Sequence, residues 1–75
     1  MMKTHYVDKK MLLDCIERAG VMRGYLCKQL HITYPSLQQK IDGKVAFMAC
    51  EIAMLQQVLR LQDWEVIQIF IREAK

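Results

Sequence analysis

Apolar residues recur every three or four positions along most of this chain, and glycine, proline and one Asp-Gly pair cut that rhythm into short segments. Met11, Leu12, Cys15, Ile16 and Ala19 form the first stripe, which predicts a helix ending near Ala19. Asp8 stands where it can cap that helix, and Val7 where it can staple onto Leu12. Gly20 ends it, because glycine accepts the left-handed conformation at a helix C-terminus. A second helix is expected over about Arg23–Leu30, with Leu26, Cys27 and Leu30 inward. Its start carries little signal: Met22 occupies the place of a hydroxyl cap, and Gly24 weakens the first turn by up to about 1 kcal/mol against alanine. His31 and Ile32 follow as a turn, with Ile32 plugging the gap between two helices.

A third helix opens at Thr33, Tyr34 and Pro35 and runs to about residue 41. Proline disfavours helical angles in the residue before it, so Tyr34 is expected as the cap. Leu37 and Ile41 turn inward, Tyr34, Gln38, Gln39 and Lys40 turn to solvent, and Asp42-Gly43 stops the helix. A fourth helix over about 49–61 is expected to bury Ile52, Leu55, Val58 and Leu59, with Met54 at the margin. Phe47 seals the loop before it, and Glu51 answers free N–H groups of its first turn. The last element, about 64–72, has almost no polar face: Val66, Ile67, Ile69, Phe70 and Ile71 are all apolar. A helix apolar nearly all round needs cover on more than one side, and the same β-branched run also suits a strand. The favoured expectation is a short helix with a dimer-forming tail and Trp64 in the core. Residues 1–6 show no apolar period and are expected as a loose arm, with His5 solvated.

At 75 residues the chain makes one domain, an all-α, compact bundle of four to five helices, burying only a little over ~60% of its unfolded surface. That leaves no room for a large enclosed substrate pocket. No nucleophile with a spaced base, no pair of carboxylates in a cleft and no glycine-rich phosphate loop is present, so neither an enzyme nor a small-molecule substrate or cofactor is expected. The net charge of +3 is unevenly spread. Arg23, Lys28, Lys40 and Lys44 face Asp42 alone in the middle of the chain, whereas acids slightly outnumber bases from Glu51 onward. A polyanion-binding surface requires such a concentration. Cys15, Cys27 and Cys50 form no paired framework and read as reduced thiols. Cys27 and His31 are one helical turn apart, but two ligands do not make a structural zinc site, so no metal is expected. With no apolar run near the ~18 residues that span a membrane and no signal-peptide region, a soluble, cytoplasmic protein is expected.

The run Leu26-Cys27-Lys28-Gln29-Leu30-His31-Ile32-Thr33, then Leu37, then Lys40-Ile41-Asp42-Gly43-Lys44, resembles the lambda-repressor and Cro-like (XRE-type) helix-turn-helix regulators of phages and prophages. That family usually shows Leu-Ala-x-x-Leu-Gly-Ile-Ser, then an isoleucine or leucine, then often Lys-Ile-Asn-Gly-Lys. The likeness extends over roughly 7–71, and Glu51-Ile52 and Leu59-x-Leu61 fall where such proteins carry their fourth-helix pattern. Cys27 replaces a small alanine, His31 the turn glycine and Asp42 a phosphate-side asparagine. Met22 and Met48 replace hydroxyl caps.

The resemblance implies sequence-specific binding of double-stranded DNA, with the third helix in the major groove. The base-reading positions would be Tyr34, Pro35, Gln38 and Gln39. Glutamine can bond bidentately to adenine, Tyr34 can reach a thymine methyl or a phosphate, and Pro35 offers apolar contact. Phosphates would meet Arg23, Lys28, Lys40, Lys44 and the N–H of Gly43, which fix register without reading sequence. A homodimer joined through Ile69, Phe70 and Ile71 would place two copies on a two-fold operator. The alternative is the same fold used as a protein-binding module, antirepressor-like, which the weak caps, Asp42 and the apolar tail all permit.

Overall fold

The computed structural model describes residues 7–71, so the loose arm expected over 1–6, with His5, and the final residues 72–75 lie outside the described residues. Five helical segments follow in order: α1 (Lys9–Ala19), α2 (Arg23–Leu30), α3 (Tyr34–Ile41), α4 (Ala49–Leu59) and α5 (Asp63–Val66), the last continuing as a wider π-helical turn over Ile67–Ile71. No strand occurs among the described residues, so the final element takes the helical alternative.

The helix boundaries follow from local chemistry. The Asp8 carboxylate accepts the Met11 N–H at 3.2 Å, and Gly20, at φ 73°, closes α1 by donating to the carbonyls of Ile16 and Glu17. Helix α2 starts at Met22 with no side-chain cap, as its sequence suggested, and ends on His31 at φ 59°. There the Ile32 N–H reaches back to the Cys27 carbonyl at 3.1 Å, a Schellman-type closure that holds a non-glycine residue in the left-handed region. Arg60 repeats this arrangement at φ 56°, with Leu61 N–H donating to Gln56, which ends α4 two residues before the expected boundary. The cap of α3 is Thr33 and not Tyr34. The Thr33 hydroxyl accepts the Ser36 N–H at 3.4 Å, a service the Tyr34 ring cannot supply, and Tyr34 and Pro35 form the first two helical residues. Proline's missing N–H costs nothing there, because the first four donors of a helix have no internal partner.

One core joins α1 to α4 and the final π-helical turn: Leu12, Cys15 and Ile16 from α1, Leu26 and Leu30 from α2, Leu37 and Ile41 from α3, Leu55 and Leu59 from α4, and Ile69 from the π-helical turn. Each fully buried leucine or isoleucine contributes about 1.5–3 kcal/mol of burial. Several expected inward residues sit further out. Ala19 is exposed, and Cys27, Ile52 and Val58 are half-buried. Phe47 seals its loop as expected, meeting the Phe70 ring edge-to-face at 5.3 Å.

The largest correction concerns the tail. Of the residues expected to join two copies, Ile69 is wholly buried in its own chain and so unavailable to a partner, while Phe70 is half-buried against Phe47. Trp64, expected in the core, is 62% exposed. The orientation of α5 is set by Glu65, which accepts the Gln62 N–H at 2.8 Å and two bonds from the Arg18 guanidinium at 2.8 and 3.3 Å. With Glu65 and Ile69 inward, Trp64, Ile67 and Ile71 are turned out, and they form the exposed apolar row.

Candidate nucleic-acid interface

Helices α2 and α3 pack together across the His31–Ile32 turn, and α3 buries Leu37 and Ile41 completely or nearly so. Tyr34, Pro35 and Gln39 are exposed and Gln38 is half-buried. At 100° per residue, Pro35, Gln39 and Asp42 lie opposite the Leu37–Ile41 side and Gln38 lies on the flank between them, while Tyr34 is on the Leu37–Ile41 side but stands exposed in the first turn. The four expected base-reading residues therefore lie together on one helix.

Two of the expected phosphate contacts do not survive. Lys40 was expected in solvent, but it is 8% exposed and its Nζ donates to Glu51 Oε1 at 2.7 Å. Position 40 is three residues from Leu37 and next to Ile41, so its stem follows the buried stripe. Glu51 Oε1 also accepts the Met48 N–H at 2.8 Å, so this one carboxylate caps α4 and holds α3. The Gly43 N–H is likewise taken, donating to the Lys40 carbonyl at 3.1 Å while Gly43 turns the chain at φ 82°.

A chain of polar side chains runs along the edge of the exposed face. Arg23, the first residue of α2, donates from Nη1 to Gln38 Oε1 at 2.9 Å. Gln38 Nε2 donates to Asp42 Oδ1 at 3.1 Å, and Lys9, at the start of α1, donates to that same oxygen at 2.7 Å. The Lys9 hydrogen bond is the main reason the Asp42 carboxyl lies below its usual range, with smaller help from Gln38 and Lys44 against partial burial. Asp42 is therefore a compensated charge and not a bare anion facing outward. The amide of Gln38 keeps one acceptor lone pair and one N–H beyond these two bonds. Lys28 and Lys44 are exposed with no ion-pair partner among the described residues.

The role of Lys9 escaped the sequence reading, since it is 33 positions from Asp42 and no local spacing signals the contact. The Arg18–Glu65 pair, 47 positions apart, was invisible for the same reason. Among the described residues no group of three or more histidine, cysteine or acidic side chains converges as a metal site would require. Cys15 is buried, which pushes its thiol pKa up; Cys27 is half-buried and Cys50 exposed. A groove of about 490 Å³ lies between the ends of α1 and α4 and the start of α5, lined by Arg18, Arg60, Trp64 and Glu65 among others, and no residue of α3 lines it. No helix among the described residues is long and apolar enough to cross a membrane. No family model, no curated protein and no solved structure matches this chain.

Proposed function

We propose that this protein binds double-stranded DNA sequence-specifically, as a Cro/CI-like helix-turn-helix regulator of the phage or prophage type, with α3 in the major groove. The observation that carries the reading is the outer face of α3. Pro35, Gln38 and Gln39 line a helix whose opposite side is locked into the core by Leu37 and Ile41. Such a helix presents amides and a ring to base edges from a rigid support. Arg23, Lys28 and Lys44 supply the phosphate-side charge in this reading; Lys40 and Gly43 no longer belong to that set.

The molecule is 33 Å in its longest dimension, about one turn of B-DNA, so one copy suits one half-site and two copies suit a two-fold operator. The exposed row Trp64, Ile67 and Ile71 supports a homodimer, in place of the original Ile69–Ile71 set. A cytoplasmic, nucleoid-associated location goes with the reading. Selecting bound sequences from random duplex DNA tests it: enrichment of a two-fold symmetric site is the expected result, and no enrichment would defeat it. The same exposed row also favours a second reading, a protein-binding module of antirepressor type. Mobility shifts on mixed DNA set against pull-down from the source cell separate the two, because only the first reading predicts a shift.

A further inference from the structure

We infer that Asp42 and Arg23 act as specificity-determining residues by fixing the Gln38 amide in one of its two orientations, so that Gln38 accepts adenine in one direction only. This rests on the DNA-reading proposal above. A free glutamine can rotate its amide by half a turn and exchange donor for acceptor at almost no steric cost. Here both ends are held. Arginine has donors only, so the atom 2.9 Å from Arg23 Nη1 is the amide oxygen. An ionised carboxylate has acceptors only, so the atom 3.1 Å from Asp42 Oδ1 is the amide nitrogen.

Lys9, 2.7 Å from that same Asp42 oxygen, keeps the carboxylate charged and therefore acceptor-only. The carboxyl also lies below its ordinary pKa, which keeps it ionised at neutral pH. The amide's remaining lone pair and N–H match the N6 donor and N7 acceptor of adenine. The lock sets the nitrogen end toward the C-terminus of α3, one turn on at Asp42, and the oxygen end toward the start of α2. An A·T pair fits that arrangement and its reversal does not. Asp42 has a second effect as well, since it neutralises the Lys9 ammonium 2.7 Å away, a cation that its loss would release. Removing it should therefore raise affinity for DNA of any sequence while lowering selectivity, a combination that a merely structural residue would not produce.

The experiment is selection from random duplex DNA with the full chain, followed by competition binding with single-base variants of the selected site. The wild type is expected to prefer adenine at one position, and Gln38→Ala to lose that preference. Asp42→Ala is expected to reduce it about tenfold at that same position and to bind random duplex more tightly. Asp42→Asn, which keeps an acceptor oxygen, should retain most of it. Arg23→Met frees the oxygen end and should lower the same preference while weakening binding to all sequences; it decides the matter if the Asp42 variants melt below the assay temperature. Wild-type preference in Asp42→Ala or Arg23→Met, alongside its loss in Gln38→Ala, overturns the inference and leaves DNA reading intact. A wild type that selects nothing overturns both.

Discussion

Replacing Lys40 with methionine should be among the most damaging single changes in the molecule, although a lysine in this sequence context looks like a surface residue. The Lys40 and Glu51 side chains are only 10% and 8% exposed, and their 2.7 Å contact is the only ion pair among the described residues with both partners buried. Methionine preserves the buried stem but leaves the Glu51 carboxylate with a single donor, the Met48 N–H. Removing one partner of a buried pair costs about 3–5 kcal/mol, because the remaining charge has no compensation. A domain of this size has about 4–11 kcal/mol in total at 0.05–0.15 kcal/mol per residue. At about 4–8 °C per kcal/mol, the melting temperature should fall by at least about 12 °C. Adding Glu51→Leu removes the orphaned charge, and apolar replacement of a buried pair is neutral to favourable. The Met48 N–H then goes unanswered, costing about 1 kcal/mol. The double variant should thus regain most of the lost stability. Urea unfolding followed by circular dichroism, run as a double-mutant cycle, measures all three terms. A cost under about 1 kcal/mol for Lys40→Met, the value for an exposed pair, or a double variant no better than the single, would refute the argument.

Further outcomes concern the tail, the ion pairs and the DNA surface. Sedimentation at micromolar concentration should show a dimer that Ile67→Asp or Ile71→Asp weakens, removing the concentration dependence of the melting temperature, whereas Phe70→Asp should destabilise the monomer itself through its lost contact with Phe47; a monomer throughout would count against the exposed row as an interface. The Glu65 carboxyl lies below its ordinary value, first because of the Arg18 hydrogen bonds and then the Gln62 N–H. A depressed folded pKa means the unfolded chain binds more protons in that window, so the contribution is complete above the ordinary glutamate value of about 4.3 and fades as pH falls through the folded value. Arg18→Met should therefore flatten the acid limb of stability against pH, and an unchanged limb would contradict the assignment. With Arg23, Lys28 and Lys44 as phosphate contacts at about −0.9 each, log K against log salt should have a slope of about −2.7 per copy. Lys44→Ala should reduce that slope by about 0.9 and Lys40→Met should leave it unchanged. Equal effects from the two variants would restore Lys40 to the DNA surface.

The parts of the fold that were legible in the sequence are those written in local spacing. The stripes Leu12–Cys15–Ile16 and Leu37–Ile41, the Asp8 cap, the Gly20 stop and the Glu51 capping interaction each depend on residues no more than four apart, within reach of one helical turn. Thr33 was equally local, and the preference against helix before proline wrongly outweighed the hydroxyl that a cap requires. The charge of Lys40 points to solvent while its position, i+3 from Leu37, points inward, and the partner that decides between them lies 11 residues on, across a loop. The tail differs from its expected register for another reason. A run apolar on every side carries no moment to say which residues face in, and the deciding contact, Arg18 with Glu65, comes from another helix. The candidate site divides in the same way. Pro35 and Gln39 follow from helical period alone and Tyr34 from its place in the first turn, but the polar chain that holds Gln38 draws on three helices, and its members are individually visible without their bonds.

The central claim, that α3 is the surface that meets duplex DNA, is tested most directly by backbone amide shifts on adding a short duplex of mixed sequence at low salt. The expected shifts cluster on Tyr34, residues 36–39, Arg23, Lys28 and Lys44, with the core of α1 and the row Trp64, Ile67 and Ile71 unmoved. Shifts confined to residues 63–71, or no shifts at any duplex concentration, would contradict it.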